Sequence, residues 1–169
     1  MEATASPPSA SAQILVLSVT KRRLQQLAGE AKPRVQAAYW SSLSDFAKRA
    51  VKFLCEEALS TKNSRLRYNE KIARVIADHC SSAELREEDA TPNLLKKKMV
   101  SDMLRSCGSS GRLPPNILVP LTACVNQMLS NVMRENLRQL AERRAPKGLV
   151  ARDVAAAMIP SVVGRTLAQ

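Results

Sequence analysis

The chain has 169 residues, 45% of them hydrophobic and 24% charged, so it is long enough to bury one sizeable core. Only 3% of the residues are aromatic and five are glycine, which argues against a β-sandwich. Lysine and arginine outnumber aspartate and glutamate by 26 to 15, and the net charge of +11 favours a polyanion as partner.

The first part of the chain predicts three helices after a disordered segment over residues 1–17, which is rich in Ala, Ser and Pro. Ser18 or Thr20 can cap a first short helix, which ends near Gly29. Pro33 suits the start of a long helix over Arg34–Lys62. Apolar residues recur along it at spacings of three and four and predict one buried face: Val35, Tyr39, Leu43, Phe46, Ala50, Phe53, Leu54 and Ala58. A third helix from about Asn69 completes a unit over 18–80 and buries Ile72, Val75 and Ile76.

The second part repeats this order after an acidic linker over 81–91. Thr91 and Pro92 are typical of a helix start, and we expect Leu95, Met99 and Met103 to face inward on a short helix. A long helix over Asn116–Arg144 then carries a stripe of Leu121, Val125, Met128, Leu129, Val132, Met133, Leu137 and Leu140. Leu149 and Val150 form a short extended step, and a last helix over Arg152–Ile159 ends a second unit over 92–160. Residues 161–169 are a C-terminal tail.

The two long stripes match at an offset of 82 positions. Matching pairs include Val35 with Ile117, Leu43 with Val125, Phe46 with Met128, Ala50 with Val132, Val51 with Met133, Ile72 with Val154 and Ile76 with Met158. One short–long–short helical unit has therefore been duplicated and fused. A helix of 29 residues extends about 43 Å, which is too long to be covered by its own short helices, so each long helix needs the other to lie across.

The positive charge lies in the two units rather than in the terminal or linking segments. Residues 18–80 hold 13 basic and six acidic side chains, a net +7, and residues 92–169 hold 12 and four, a net +8. A solvated cationic face without a partner is the alternative, but two compact basic units favour nucleic acid.

Catalysis, metal binding and membrane insertion have little support in the sequence. The four cysteines form no CxxC pair, and the single histidine, His79, lies beside Cys80. We therefore predict no metal, no cofactor and no enzyme activity. The cysteines are expected to be free thiols in a reducing compartment. The apolar run Ile14–Leu17 is too short for a signal-peptide core, and no stretch approaches the ~20 residues of a membrane span. We expect a soluble, intracellular protein with no membrane and no small-molecule substrate.

The order of helix lengths and the loop chemistry resemble the histone fold. The segment PNILVPLTACVNQMLSNVMRENLRQLAERRAPKGLVARDVAAAM is similar to the long helix, second loop and third helix of a core histone of the nucleosome's lateral pair. VTKRRLQQLA and YWSSLSDFAKRAVKFLCEEALSTKNSRLRYNEKIARVI resemble its partner more loosely. Two such units in one chain, over about residues 18–160, resemble the histone doublets of large double-stranded DNA viruses.

The resemblance implies an all-α fold in which two tandem units pack head to tail in a handshake, with loop 1 of one beside loop 2 of the other. It also implies three groups of DNA-contacting residues: Lys32 and Arg34 near Lys147; Arg112 near Arg65 and Arg67; and Lys21, Arg22 and Arg23 near Lys96, Lys97 and Lys98. Basic side chains beside helix N-termini can hold phosphates of bent duplex DNA. The alternative for each cation is that it only solvates the surface, and for Arg143 and Arg144 an interaction with the helix dipole is favoured.

Departures from cellular histones limit what the resemblance implies. Neither terminus carries a lysine-rich tail. The family's acidic surface cluster would use positions held by Gln127, Val132 and Glu135, of which only the last is acidic, and Gly148 stands where an arginine often enters the minor groove.

The function hypothesis is a DNA-packaging protein that binds duplex DNA without base readout. It would assemble with a complementary histone pair or doublet into nucleosome-like particles, in a virion, a viral factory or the host nucleus. The alternatives are a histone-fold subunit of a transcription or chromosome-segregation complex, and a helical adaptor for acidic proteins.

Overall fold

The computed structural model describes residues 13–60, 67–79, 93–107, 115–143 and 148–156. These ranges form six helices: α1 Leu17–Ala28, α2 Ala37–Ser60, α3 Tyr68–His79, α4 Lys97–Cys107, α5 Pro115–Arg143 and α6 Ala151–Ala156. Among the described residues the only β-structure is two isolated bridges, antiparallel between Leu15 and Leu95 and parallel between Val35 and Leu149. Within the same ranges, no helix is both long enough and apolar enough to cross a bilayer.

The two units interlock around one core. The short helix α1 packs on the long helix of the other unit, α5, and α4 packs on α2 in the same way. The last helix of each unit contacts both long helices, which also cross each other. Buried side chains from both units form a single cluster that includes Leu24, Leu43, Phe46, Ile72, Leu104, Leu129 and Val154. The all-α handshake of two tandem units is therefore confirmed, and neither unit buries its apolar faces alone.

The internal repeat is visible in the burial pattern, but the offset between matching residues is smaller before the first loop than after it. Along the long helices the offset of 82 pairs buried residues with buried residues, as for Tyr39 and Leu121, Leu43 and Val125, and Val51 and Met133. Before the first loop the offset is 80, which pairs Ile14 with Leu94, Leu15 with Leu95, Thr20 with Val100 and Leu24 with Leu104. The second copy therefore has two more residues than the first between the core positions of its short helix and those of its long helix.

The long helix α2 begins later than predicted. It starts at Ala37 rather than near Pro33, and the residues 34–36 are extended because they pair with the second unit across the Val35–Leu149 bridge. Val35 therefore lies before the helix and is not part of its stripe, whereas α5 spans 29 residues almost as predicted, with Pro120 inside its second turn.

The starts of both short helices also differ from the predictions. Residues 13–16 are ordered, and Ile14 and Leu15 are fully buried, so the predicted disordered segment over 1–17 extends too far. Val16 holds the cap position of α1 without a side-chain cap, and the Thr20 hydroxyl donates to the Val16 carbonyl instead of capping. In the second unit α4 begins at Lys97, so the inward positions of that helix are Val100 and Leu104, while Met99 and Met103 are half-buried.

The cysteines differ from the expectation of four thiols. Cys124 is disulfide-bonded, with its partner sulfur outside the described side chains, and Cys55 is a buried thiol. Sequence spacing alone cannot give disulfide connectivity, which is why this bond was not predicted. Residues 1–12 and the acidic linker 81–91 lie outside the described residues, as does the tail 161–169, so the domain boundaries there stay predictions.

Candidate nucleic-acid interface

Loop 1 of the first unit lies against loop 2 of the second. The Gln36 amide donates to the Leu149 carbonyl at 3.0 Å, and the Leu149 amide donates to the Arg34 carbonyl at 2.9 Å. This pairing brings the backbone of Arg34 against Gly148, and the exposed Lys32 and Arg34 both lie shortly before the N-terminus of α2. We call Lys32, Arg34 and Gly148 the loop-pair site. The predicted approach of Lys147 to Lys32 and Arg34 stays a prediction, because Lys147 lies outside the described residues.

Gly148 is required by the backbone at the loop-pair site. Its φ is +72°, and a Cβ built there would lie 2.1 Å from the Arg34 carbonyl oxygen. Left-handed backbone and close approach both favour glycine. The glycine at this position therefore has a structural cause: no side chain fits where the two loops pair.

A buried polar network holds α6 and the end of α5 against α2. The Tyr39 hydroxyl donates to Asn136 Oδ1 at 2.8 Å, and Asn136 Nδ2 donates to the Asp153 carbonyl at 2.7 Å. The Asp153 carboxylate accepts from the Val150 amide at 2.8 Å and so caps the start of α6. Burial, and to a lesser extent the Asp153 charge, raise the pKa of the Tyr39 hydroxyl far above its usual value. The network therefore holds the start of α6, which follows the loop-pair site in the chain, against α2 and α5.

The segments before α1 and α4 pair with each other across the Leu15–Leu95 bridge, which we call the central bridge. The Val16 amide donates to the Leu94 carbonyl and the Lys96 amide to the Ile14 carbonyl, both at 2.8 Å. The amides of Ile14 and Leu94 are bound by side chains of the long helices. The Ile14 amide donates to Ser44 Oγ, and the Leu94 amide donates to Asn126 Oδ1. The N-termini of the two short helices therefore lie side by side. Sequence reasoning missed this bridge because it joins residues 80 positions apart.

The basic residues around the central bridge do not form one cluster. Lys97 and Lys98 are exposed at the start of α4 and Lys96 is half-buried. On α1, Lys21 lies over the Trp40 ring, with Nζ 6.0 Å from its centroid, while Arg23 Nε donates to Ser130 Oγ on α5. Arg22 is exposed between them. Lys21 and Arg23 of α1 thus contact different neighbours, on α2 and on α5.

The predicted group of Arg65, Arg67 and Arg112 is only partly described. Arg67 is exposed immediately before α3, whereas Arg65 and Arg112 lie outside the described residues. Their convergence stays a prediction. Exposed cations outside the predicted groups include Arg49 and Lys52 on α2, Arg74 on α3 and Arg134 on α5. Their positions off the apolar stripes indicated that they would be exposed.

The three positions that correspond to the acidic surface cluster of histones do not form an acidic surface in this protein. Gln127 and Val132 are buried, so they are not surface positions at all. Glu135 is held by Arg138, whose Nε lies 2.7 Å from its Oε1, and the hydrogen bonds from Arg138 lower the pKa of Glu135. Arg138 also contacts Glu142 at 2.6 Å. The single carboxylate at these positions is thus already neutralised by its own helix. Among the described residues, no group of three or more His, Cys, Asp or Glu side chains could hold a metal ion.

Comparison with known proteins identifies the fold. A solved crystal structure of the histone from Methanopyrus kandleri aligns with a TM-score of 0.61 over 89% of this chain and 98% of that chain. The fold is the histone fold. Because the alignment covers most of both chains, it includes both helical units. The sequences are only 16% identical, and neither a family model nor a curated protein matches this chain.

Proposed function

We propose that this protein packages duplex DNA as a one-chain pseudo-dimer of histone folds. The observation that carries the proposal is the Val35–Leu149 bridge, because it joins the loops of the two units at an end where Lys32 and Arg34 are exposed. The histone structure with the same fold supports this reading at the level of architecture.

The binding mode we propose is electrostatic and independent of base sequence. At the loop-pair site the free N–H groups of the α2 N-terminus and the nearby cations can hold backbone phosphate. At the central bridge the paired N-termini of α1 and α4, with Lys97 and Lys98 exposed beside them, offer a second site of the same kind. The aromatic side chains Tyr39, Trp40 and Phe46 are buried, and Phe53 and Tyr68 are half-buried against the core, so base stacking is not part of the proposal.

The salt dependence of DNA affinity tests this mode. Replacing Arg34 by Gln is expected to reduce the slope of log affinity against log salt by about 0.9, because one phosphate contact is lost. The matched control is Arg74→Gln, which removes another exposed cation, on α3, and should leave the slope unchanged. An affinity that is insensitive to salt, or that depends strongly on base sequence, would contradict the proposal.

The finer parts of the proposal concern assembly and origin. We propose that the protein joins a complementary histone pair or doublet in nucleosome-like particles, and that it is a viral doublet acting in a virion, a viral factory or the host nucleus. The alternative is a histone-fold subunit of a transcription or segregation complex in which protein contacts dominate. Nuclease digestion of the reconstituted complex separates the two, because only wrapping protects DNA fragments of defined length.

A further inference from the structure

A lysine of α1 lies over the one tryptophan of the chain. Lys21 Nζ is 6.0 Å from the centroid of the Trp40 ring, at the limit of a cation–π contact. Lys21 is exposed, whereas only 8% of the Trp40 surface is exposed. Among the described residues no carboxylate forms a salt bridge with Lys21. The indole face therefore restrains this ammonium group without neutralising its charge.

The Trp40 ring is itself fixed by the core. It packs edge-to-face on Tyr39, with the ring centroids 5.3 Å apart and an angle of 85° between the planes. The Tyr39 hydroxyl in turn donates to the buried Asn136 at 2.8 Å. A fixed ring leaves Lys21 fewer conformations, so less conformational entropy is lost when its ammonium group binds a phosphate. The ammonium group has three N–H donors, so it can keep the ring contact and still donate to an anion.

The contact between Lys21 and Trp40 lies between the two sites proposed for DNA. Trp40 is in the first turn of α2, which begins at Ala37, shortly after the first-unit residues of the loop-pair site. One turn further along, Ser44 Oγ accepts from the Ile14 amide at the central bridge. At ~1.5 Å per residue, Ala37 and Ser44 are about 10 Å apart along the helix axis, which is the length of about three base pairs of duplex DNA. A duplex that contacts both sites would therefore pass Lys21.

The second unit has neither the cation nor the ring. The offset of 80 that matches the short helices pairs Lys21 with Ser101, and the offset of 82 that matches the long helices pairs Trp40 with Thr122. Thr122 is buried, and its hydroxyl donates to the Val119 carbonyl at 2.9 Å. The cation and the ring thus occur together in one unit and are absent together from the other, as expected if the ring serves the cation.

We propose that Trp40 is a positioning residue that holds Lys21 for a backbone phosphate between the loop-pair site and the central bridge. Lys21 then has a phosphate of its own, rather than one shared with Lys96, Lys97 and Lys98. This assignment rests on the proposed DNA-binding function. The contact between Lys21 and Trp40, however, exists without DNA and can be measured separately.

Tryptophan fluorescence tests the contact in the absence of DNA. Lys21→Gln removes the cation from the ring and is expected to change the intensity or the wavelength maximum of the Trp40 emission. The matched control is Lys52→Gln, which removes an exposed lysine about 18 Å further along α2 and should leave the emission unchanged. Identical emission from the unaltered chain and the Lys21→Gln chain would overturn the contact, and the proposal with it.

The affinity for labelled duplex DNA, measured by fluorescence anisotropy over a range of salt concentrations, tests the phosphate contact. Lys21→Gln is expected to reduce the slope of log affinity against log salt by about 0.9, and Lys52→Gln by less than about 0.3. Trp40→Leu keeps every charge but removes the ring, and is expected to weaken DNA binding about two- to fivefold. Trp40→Phe keeps a ring with a weaker attraction for cations and the aromatic packing, and is expected to lose about twofold.

A double-mutant cycle separates positioning from a purely structural role of the ring. In the Lys21→Gln chain, Trp40→Leu should no longer weaken DNA binding, because no cation is left to be positioned. If Trp40→Leu unfolds the chain, Trp40→Phe takes its place in the cycle. Equal losses in the presence and absence of Lys21 would contradict the proposal.

The same measurements distinguish this proposal from the proposed function. If the unaltered chain binds DNA with a salt-dependent affinity and Lys21→Gln has the same slope, the proposed function stands and the role of Lys21 and Trp40 is wrong. If the unaltered chain does not bind DNA, both are wrong.

Discussion

At the residue scale, Gly148 is the most constrained position in the loop-pair site. Gly148→Ala forces a side chain into left-handed backbone and against the Arg34 carbonyl, so we expect it to lower the free energy of unfolding by about 2–4 kcal/mol. Gly29→Ala is the matched control, because Gly29 has a φ of +66° but nothing within 4 Å of the added Cβ, and it should cost only about 1–2 kcal/mol. Chemical denaturation measures both; equal losses would show that the loops do not pair closely.

Tyr39 gives the protein a pH dependence that can be assigned to one residue. Because its pKa is raised in the folded state, the unfolded chain loses the hydroxyl proton first as pH rises above about 10, the ordinary value for tyrosine. Stability that is present below that pH is then lost above it. We expect Tyr39→Phe to reduce this alkaline loss, measured as the free energy of unfolding at pH 9 and pH 11. An unchanged slope would mean that the Tyr39 hydroxyl is not buried against Asn136.

At the element scale, the paired segments before α1 and α4 should contribute to stability through their backbone hydrogen bonds. Lys96→Pro removes the amide that donates to the Ile14 carbonyl and is expected to cost about 1–3 kcal/mol. Lys97→Pro removes the same charge at the first position of α4, where proline is tolerated, and should be nearly neutral. Thermal unfolding of the two variants compares them, and equal melting temperatures would argue against the bridge.

The same elements show what the sequence could and could not predict. The helical stripes of α2 and α5 follow from local periodicity, so core residues such as Leu43 on α2 and Val132 on α5 could be predicted from the sequence. The starts of α2 and α4 were predicted too early because residues 34–36 and 93–96 pair with distant segments instead of continuing a helix. Local propensity carries no information on such pairs. The cations of the loop-pair site were predicted from the resemblance to histones, whereas the pairing of the segments before α1 and α4 was not, since it joins residues far apart in the chain.

At the scale of the whole molecule, the interlocked units should unfold together. Each short helix buries its apolar face on the long helix of the other unit, so neither unit retains a covered core when the other opens. We expect one cooperative transition whose midpoint does not depend on protein concentration, because both units lie in one chain. Two separate transitions in calorimetry would contradict the handshake.

Nuclease protection tests the central claim, that the fused units form one DNA-packaging surface. Micrococcal nuclease digestion of duplex DNA reconstituted with this protein, with and without a complementary histone pair, should leave protected fragments of defined length that shorten or disappear in the Gly148→Ala variant. A continuous smear of fragments, identical to that of free DNA and unaffected by the complementary pair, would contradict the account.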